Sequence, residues 1–172
     1  MPAARMISAP RNSGNDGTLA AGTYYVVSRV TDSAGTLTST ASPDNVTVTA
    51  PFIQLFGSGA AVPKPVAPGK KASAAVTVNN NGNIPAAGAL PIALFARPAG
   101  TSGAEDVSLP TVVVKVRLKA NGGRLGLKLK FVVPATLAAG RYSLVVQLDP
   151  GNSFDEPMLP APTVGAATFA AT

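Results

Sequence analysis

Apolar residues in this chain occur in short runs that alternate with polar residues and are interrupted by Gly, Pro or Asn. No segment keeps a clean helical period, whereas alternation over roughly four to eight residues is typical of a half-buried strand. Strand-like segments follow one another at residues 45–50, 52–56, 72–78, 89–96, 111–119, 124–131 and 142–148. This spacing, with turn residues in between, predicts an all-β protein built from antiparallel strands.

Composition narrows the possible functions. The 172 residues include 46% hydrophobic but only 5% aromatic residues, so the apolar mass consists largely of small Ala and Val. Cys and His are absent, which excludes disulfides, thiolate nucleophiles, histidine-dependent catalytic arrangements and the usual zinc ligands. Glu105 and Asp106 are adjacent in a loop-like segment and make a poor acid–base pair. We therefore expect no enzyme activity and no cofactor.

The segment TLAAG occurs twice, at residues 18–22 and 136–140. Aligned at a spacing of 118 residues, TLAAGTYYVVSRVTD and TLAAGRYSLVVQLDP agree at seven of fifteen positions. Each copy has the pattern of a Gly turn followed by a strand with alternate residues facing a core. This period predicts immunoglobulin-like antiparallel β-sandwich modules, one complete and one represented by an extra N-terminal β segment. The predicted core of the complete module is Val76, Val78, Leu94, Tyr142, Leu144, Val146 and Leu148.

Two longer stretches combine strand patterns with characteristic ends. VAPGKKASAAVTVNNNGN (66–83) is a Pro-Gly-led strand that ends in Asn-Gly, and LAAGRYSLVVQLDPGNSFDE (137–156) is a Gly-x-Tyr strand with an acidic end. Both stretches resemble the corresponding strands of the CARDB family, the cell-adhesion-related domain found in bacteria. The resemblance extends from about Asp44 to Met158. It implies a non-catalytic extracellular module, often arranged in tandem.

Three regions follow from this resemblance. Residues 44–158 are expected to form the sandwich, and residues 1–43 to carry the closing strands of a preceding repeat or a connector strand. Residues 159–172 would be a tail or the start of a next repeat. We expect an extracellular or cell-surface location in bacteria, although no signal peptide is visible in this chain. No apolar run approaches the roughly 18 residues that span a bilayer, so no membrane span is expected.

Positive charge is concentrated on two segments joined by ANGG (120–123). Because Asn-Gly favours a tight turn, we predict that residues 111–131 form a hairpin. Alternation then places six cations on one outer face, namely Lys115, Arg117, Lys119, Arg124, Lys128 and Lys130. Such a face would bind an anionic polymer such as surface polysaccharide, or it would be a solvated face whose lysines prevent edge pairing. No aromatic residue is interleaved with the cations, so specific nucleic-acid binding is not expected.

Oxygen-bearing side chains cluster in DPGNSFDE, at Asp149, Asn152, Asp155 and Glu156. Ca²⁺ prefers such ligands, but the spacing matches no EF-hand loop. A turn stabilised by Asp and Asn side chains explains the same residues. We therefore predict no metal, and these four residues are only a secondary calcium candidate.

The first copy of the repeat predicts self-association. Its strand carries five apolar or aromatic residues, Tyr24, Tyr25, Val26, Val27 and Val30, and an isolated hairpin is marginally stable in water. Strand addition between copies would give an open filament, and a tandem array would pair the strand with a neighbouring repeat. The expected function is a structural or adhesive building block whose partners are copies of itself or neighbouring repeats. The alternative is a carbohydrate- or polyanion-binding module that uses the Lys/Arg face.

Overall fold

The structure is a computed structural model that describes residues 5–8, 19–100 and 105–172. Within these ranges every regular element is a β-strand, as predicted, and no helix could cross a membrane. The chain divides into two compact units, Met1–Ala50 and Pro51–Thr172. The strands are β1 (Arg5–Ser8), β2 (Gly22–Thr31), β3 (Leu37–Val48), β4 (Leu55–Ala61), β5 (Lys71–Asn80), β6 (Ala86–Pro98), β7 (Val107–Ser108), β8 (Val112–Leu118), β9 (Gly123–Val132), β10 (Gly140–Leu148) and β11 (Thr163–Ala171).

The N-terminal unit contains a three-stranded sheet with β2 in the middle. β3 pairs with β2 antiparallel, and β1 runs parallel to β2 between Tyr24 and Val27. Asp32 closes the turn between β2 and β3, because its Oδ1 accepts the backbone N–H groups of Ala34 and Thr36 at 2.9 and 2.8 Å. The β2–β3 hairpin is therefore encoded by local interactions.

The C-terminal unit is a sandwich of two sheets whose strand pairs are antiparallel. One sheet has the order β4-β5-β9, and the other has the order β11-β10-β6-β7, with β8 also paired to β6. β4 contacts both β10 and β11 of the opposite sheet. This arrangement confirms the predicted β-sandwich class.

The predicted core is confirmed. Seven predicted residues are all buried in one apolar cluster between the sheets: Val76, Val78, Leu94, Tyr142, Leu144, Val146 and Leu148. Tyr142 stacks on Phe169 of β11 with ring centroids 5.8 Å apart. The cluster draws residues from both sheets, as expected when alternate positions of each strand face inward.

The predicted hairpin of residues 111–131 is wrong. β8 pairs with β6 and β9 pairs with β5, so the two strands lie in different sheets. The Asn-Gly turn is present, with φ of 55° at Asn121 and 91° at Gly122. Its N–H groups donate to the carbonyl oxygens of Gly82 at 2.9 Å and Asn80 at 2.8 Å. The turn therefore joins the two sheets and is bound to the β5–β6 connection.

Asn80 holds this crossing point together. The residue is fully buried, and its Oδ1 accepts the N–H groups of Gly82 at 2.9 Å and Gln54 at 3.3 Å. Its Nδ2 donates to the carbonyl oxygens of Ile84 at 2.9 Å and Lys119 at 3.2 Å. A Cβ at Gly82 would overlap the backbone carbonyl of Phe52, so the close approach of these two backbone segments requires glycine at position 82. The segment NNNGN thus joins both connections between the sheets.

The boundaries along the chain differ from those predicted. The boundary between the two units lies between Ala50 and Pro51 instead of at residue 44, because β3 continues to Val48. At the other end, β11 pairs with β10 as an edge strand of this sandwich. Phe169 and Ala171 of β11 are buried in its core. Residues 163–171 are therefore part of the complete sandwich, where a tail or a next repeat was expected.

Candidate interaction surfaces

The two TLAAG copies fold alike. The hydroxyl groups of Tyr24 and Tyr142 each donate to the carbonyl of the residue four positions earlier, Ala20 at 2.6 Å and Ala138 at 2.9 Å. A Cβ on the glycine two positions before each tyrosine would lie 3.6 and 3.3 Å from the ring. A tyrosine that bonds back to the backbone in this way is typical of a closing strand of immunoglobulin-like sandwiches.

The strand pairing is also repeated. The register shifts at the same place in both hairpins, after Tyr25 in the β2–β3 hairpin and after Ser143 in the β10–β11 hairpin. At each shift one residue of the first strand lies opposite three residues of the second, 42–44 in one hairpin and 165–167 in the other. β2 and β3 therefore repeat the closing strands of the complete sandwich.

The two hairpins differ in what covers their inner faces. Leu144 and Leu148 are 0% and 1% exposed, whereas the equivalent Val26 and Val30 are 50% and 65% exposed. The core of the sandwich covers Leu144 and Leu148. In the N-terminal unit the described residues form a single sheet, β1-β2-β3, with no second sheet opposite it. We call the exposed side of β2 and β3 that corresponds to Leu144 and Leu148 the open face: Val26, Val30 and Val46.

All five residues predicted for self-association lie in β2. Self-association through these residues would need them to be accessible, and Val26 and Val30 are exposed. Tyr24 and Val27 are already buried and Tyr25 is half-buried, so these three side chains are not available in the same way. The hydroxyl of Tyr24 is bonded within its own turn, which holds the ring down over the backbone.

The six predicted cations do not share one surface. All are exposed and alternate with inward-facing apolar residues, as predicted. Lys115 and Arg117 belong to β8, with Lys119 directly after it, in the sheet that contains β6. The other three belong to β9 in the opposite sheet, namely Arg124, Lys128 and Lys130. The error follows from the hairpin prediction, because alternation gives the facing of each strand but not the sheet that it joins.

Two lysines that the sequence did not single out join the β9 cations. A groove of about 600 Å³, which we call the lysine groove, lies beside β9 and is lined by four lysines, Lys64, Lys71, Lys128 and Lys130. Val62, Val66 and Phe131 also line it. Lys71 reaches the groove because β5 pairs with β9 in a register that opposes residue 71 to residue 132. The signals for it were the lysines in VPKP and PGKK, within a segment interpreted only as a connector.

The calcium candidates form a turn. Asp149 accepts the backbone N–H groups of Ser153 and Phe154, both at 2.9 Å. Asn152 Oδ1 accepts the N–H of Glu156 at 2.8 Å, while Asp155 is exposed. Asp149, Asn152 and Asp155 all have positive φ, between 41° and 52°. The described residues include no group of three or more acidic side chains that could hold a metal ion.

Glu156 attaches this turn to β4. Its Oε2 accepts the N–H of Leu55 at 2.6 Å, and its Oε1 is buried with no hydrogen-bond partner among the described residues. Burial raises the pKa of the Glu156 carboxyl, the Leu55 hydrogen bond lowers it, and the charge of Asp149 raises it further. The carboxyl is therefore a structural anchor that titrates above the usual range.

Asp106, which was considered with Glu105 as an acid–base pair, forms an ion pair. Arg97 donates from Nε and Nη2 to the two carboxylate oxygens of Asp106, at 2.7 and 2.8 Å. These hydrogen bonds, together with the guanidinium charge, hold the pKa of Asp106 below its usual value. Asp106 is thereby bound to β6 and is a poor proton acceptor.

Comparison with family models gave no match, and neither did comparison with curated proteins. Among solved structures, the chain is similar to the crystal structure of the CARDB domain of the PF1109 protein from Pyrococcus furiosus in complex with di-metal ions. The identity is 18% and the TM-score 0.43, over 72% of this chain and 97% of that chain. It is also similar to the solution NMR structure of the same domain, with 16% identity and a TM-score of 0.41 over 71% and 95% of the two chains.

A β-glucosidase from Listeria innocua in complex with glucose matches at 18% identity and a TM-score of 0.40, over 69% of this chain but 16% of that chain. The first two structures are domains of the family that the sequence resembles. Likeness at this level concerns the fold alone.

Proposed function

We propose that this chain is a non-catalytic structural module of a bacterial cell-surface assembly, in which the β2–β3 hairpin closes a second sandwich of the same kind. The observation that carries the proposal is the contrast between the two hairpins. They share the tyrosine hydrogen bond and the register shift, yet the inner face is buried in one and exposed in the other. In the complete sandwich, β10 and β11 lie over the opposite sheet. The open face would lie in the same way over the opposite sheet of a related sandwich.

Covering the open face alone gives limited affinity. Full burial of a Val or Leu side chain contributes about 1.5–3 kcal/mol. The three residues of the open face are already about half covered, so completing their burial contributes about 2–5 kcal/mol. Association itself costs at least about 4 kcal/mol in lost freedom of motion. A stable contact therefore requires backbone pairing in addition to burial of the face.

The edge of β2 supplies that pairing. In the complete sandwich, β10 pairs with β6 at seven positions, from Tyr142 opposite Pro98 to Leu148 opposite Ile92. On β2 the equivalent edge is covered by β1 at four positions, which end at Val27. Beyond Val27 this edge has no strand partner among the described residues. A strand equivalent to β6 would extend the sheet and satisfy the backbone groups of the edge.

The partner is a sandwich that lacks its own closing hairpin. Residues 51–172 already contain β10 and β11, so they accept β2 and β3 only if those strands are released. A neighbouring repeat in tandem, or a second copy that exchanges its hairpin, meets this requirement. In both cases the product is a linear series of sandwiches, because the contact is head-to-tail.

Three chain fragments test the proposal. Residues 51–172 contain the complete sandwich, residues 51–134 lack its closing hairpin, and residues 1–134 lack that hairpin but carry β2 and β3. If β2–β3 substitutes for β10–β11, residues 1–134 should unfold cooperatively in urea, as residues 51–172 do, while residues 51–134 should show no cooperative transition. Val26→Asp in the 1–134 fragment should abolish the transition, because Val26 is equivalent to the fully buried Leu144.

The mass of the products decides between arrangements. Light scattering should give the mass of one chain if the hairpin closes its own sandwich, and concentration-dependent multiples if it closes the sandwich of another copy. In the complete chain, hairpin exchange predicts multimers that disappear when residues 1–50 are deleted. The proposal is wrong if residues 1–134 are no more folded than residues 51–134.

A further inference from the structure

The positive charge of this protein belongs to one unit. Of fourteen Lys and Arg residues, eleven lie between residues 51 and 172, together with five of the eight acidic residues. The whole formal net charge of +6 is therefore carried by the complete sandwich. Three of those five acids are in the turn at 149–156, which is attached to the Leu55 end of β4. The lysine groove lies beyond the other end of β4, at Val62.

The positive charges of the lysine groove are not balanced by acidic residues. It is lined by four lysines and by no acidic residue, and none of these lysines forms an ion pair within the described part of the chain. Gathering like charges around one concave surface is unfavourable unless an anion offsets the repulsion. The volume of about 600 Å³ lies in the range of ligand-binding clefts, roughly 300–1,000 Å³.

A second depression lies next to the lysine groove and shares one side with it. Val62, Lys64 and Pro65 also line this second depression of about 220 Å³, whose other side carries Arg141 and Thr168. The segment between the two depressions is fixed, because the Val66 N–H donates to the carbonyl of residue 170 at 2.9 Å. Cationic side chains thus follow one another along a path longer than one cleft, which fits an extended polymer better than a small anion.

The chemistry of the lining selects the polymer. Phe131, the aromatic residue of the larger depression, is buried, so no exposed ring is available on which a nucleic-acid base could stack. Lysine ammonium groups are point charges that accept carboxylate or sulfate in many orientations. We infer that the lysine groove binds an extended anionic polysaccharide with a carboxylate or sulfate on successive sugar units. This inference is independent of the hairpin proposal, because every residue involved lies in the complete sandwich.

Binding of the complete chain to heparin and to polygalacturonate tests the inference, with dextran as the neutral polymer and an oligothymidylate as the nucleic acid. One variant combines Lys71→Gln, Lys128→Gln and Lys130→Gln. The matched control combines Lys115→Gln, Arg117→Gln and Lys119→Gln on the opposite sheet. Each triple variant lowers the formal net charge from +6 to +3. All substituted residues are exposed, so both variants should keep the fold.

The groove variant should lose at least about tenfold in affinity, and the slope of log K against log salt should fall by about one unit per lysine removed. The control should lose less than about twofold, since its cations lie away from the groove. Heparin binding alone identifies sulfate as the recognised group, and polygalacturonate binding alone identifies carboxylate. Equal losses in the two variants, no salt-dependent binding to either polysaccharide, equal binding of dextran, or tighter binding of the oligonucleotide would overturn the inference.

Discussion

Replacing Asn80 by alanine removes four hydrogen bonds at the point where the chain crosses twice between the sheets. Two of these bonds are 2.9 Å long, and the other two are longer, at 3.2 and 3.3 Å. A hydrogen bond contributes about 1 kcal/mol net, and a buried group left unsatisfied costs more. With two good and two weaker bonds, Asn80→Ala should lower the free energy of unfolding by about 3 kcal/mol. This is a large share of the roughly 5–15 kcal/mol of an ordinary domain.

Equilibrium urea unfolding of residues 51–172, followed by circular dichroism, measures the loss. The urea midpoint should fall while the m-value stays constant, because the same surface is exposed on unfolding. A loss of about 3 kcal/mol corresponds to about 10–15 °C in melting temperature for a unit of this size. Asn80→Asp should be no more stable than the alanine variant at neutral pH, because a buried carboxylate would face the carbonyl oxygens of Ile84 and Lys119.

Asn79→Ala is the matched control. Asn79 is the adjacent residue and is also buried, but its side chain makes only long bonds, to Phe56 at 3.4 Å and Ser58 at 3.2 Å. Its loss should be below about 1 kcal/mol. If Asn80→Ala is no more destabilising than Asn79→Ala, the Asn80 side chain does not hold the crossing, and the packing of the strands alone determines it.

Three further predictions concern the complete sandwich. Val146→Asp should prevent folding because it buries an unpaired charge, whereas Val113→Asp, at a site 62% exposed, should shift the melting temperature by only a few degrees; thermal melts compare them. Glu156→Gln should gain stability relative to the native protein as pH rises through the raised pKa of Glu156. Folding favours the protonated carboxyl, so the stabilisation that this proton gives the native protein is lost above the usual range for glutamate. Urea titrations of both proteins at pH 4 and pH 7 measure the difference. Tyr142→Phe should cost about 1 kcal/mol in urea unfolding by removing the bond to Ala138, and no change would mean that this hydroxyl is equally well satisfied by water.

The positions of strands and their inward residues could be predicted because alternation is a local property. The segments 72–78, 89–96, 111–119 and 124–131 all lie within or almost within β5, β6, β8 and β9. The pairing of β8 could not be predicted in the same way. An Asn-Gly turn requires positive φ and is compatible with a hairpin or with a connection between sheets. The partners of its N–H groups, at Asn80 and Gly82, decided between the two, and they lie about forty residues away in sequence.

The lysine groove shows the same limit for function. The facing of Lys128 and Lys130 followed from alternation in β9, but Lys64 and Lys71 come from a connector and from β5. Their proximity depends on the β5–β9 register and on the bridge between Val66 and Ala171. A site built from three separate segments is visible only after the pairing is known.

The two hairpins separate what a local sequence encodes from what its surroundings add. TLAAG-x-Tyr specifies the turn, the hydroxyl bond and the glycine beneath the ring, and these form in both copies. They form with a second sheet opposite β10 and, among the described residues of the N-terminal unit, with none opposite β2. Burial of the next inward position requires strands from elsewhere, and it differs from 0% exposed at Leu144 to 50% exposed at Val26. The β2–β3 hairpin therefore has the backbone conformation of a closing element before any partner is present. Under the proposed function, this ordering leaves less conformational entropy for partner binding to overcome, and the binding free energy would come from covering the open face and extending the sheet.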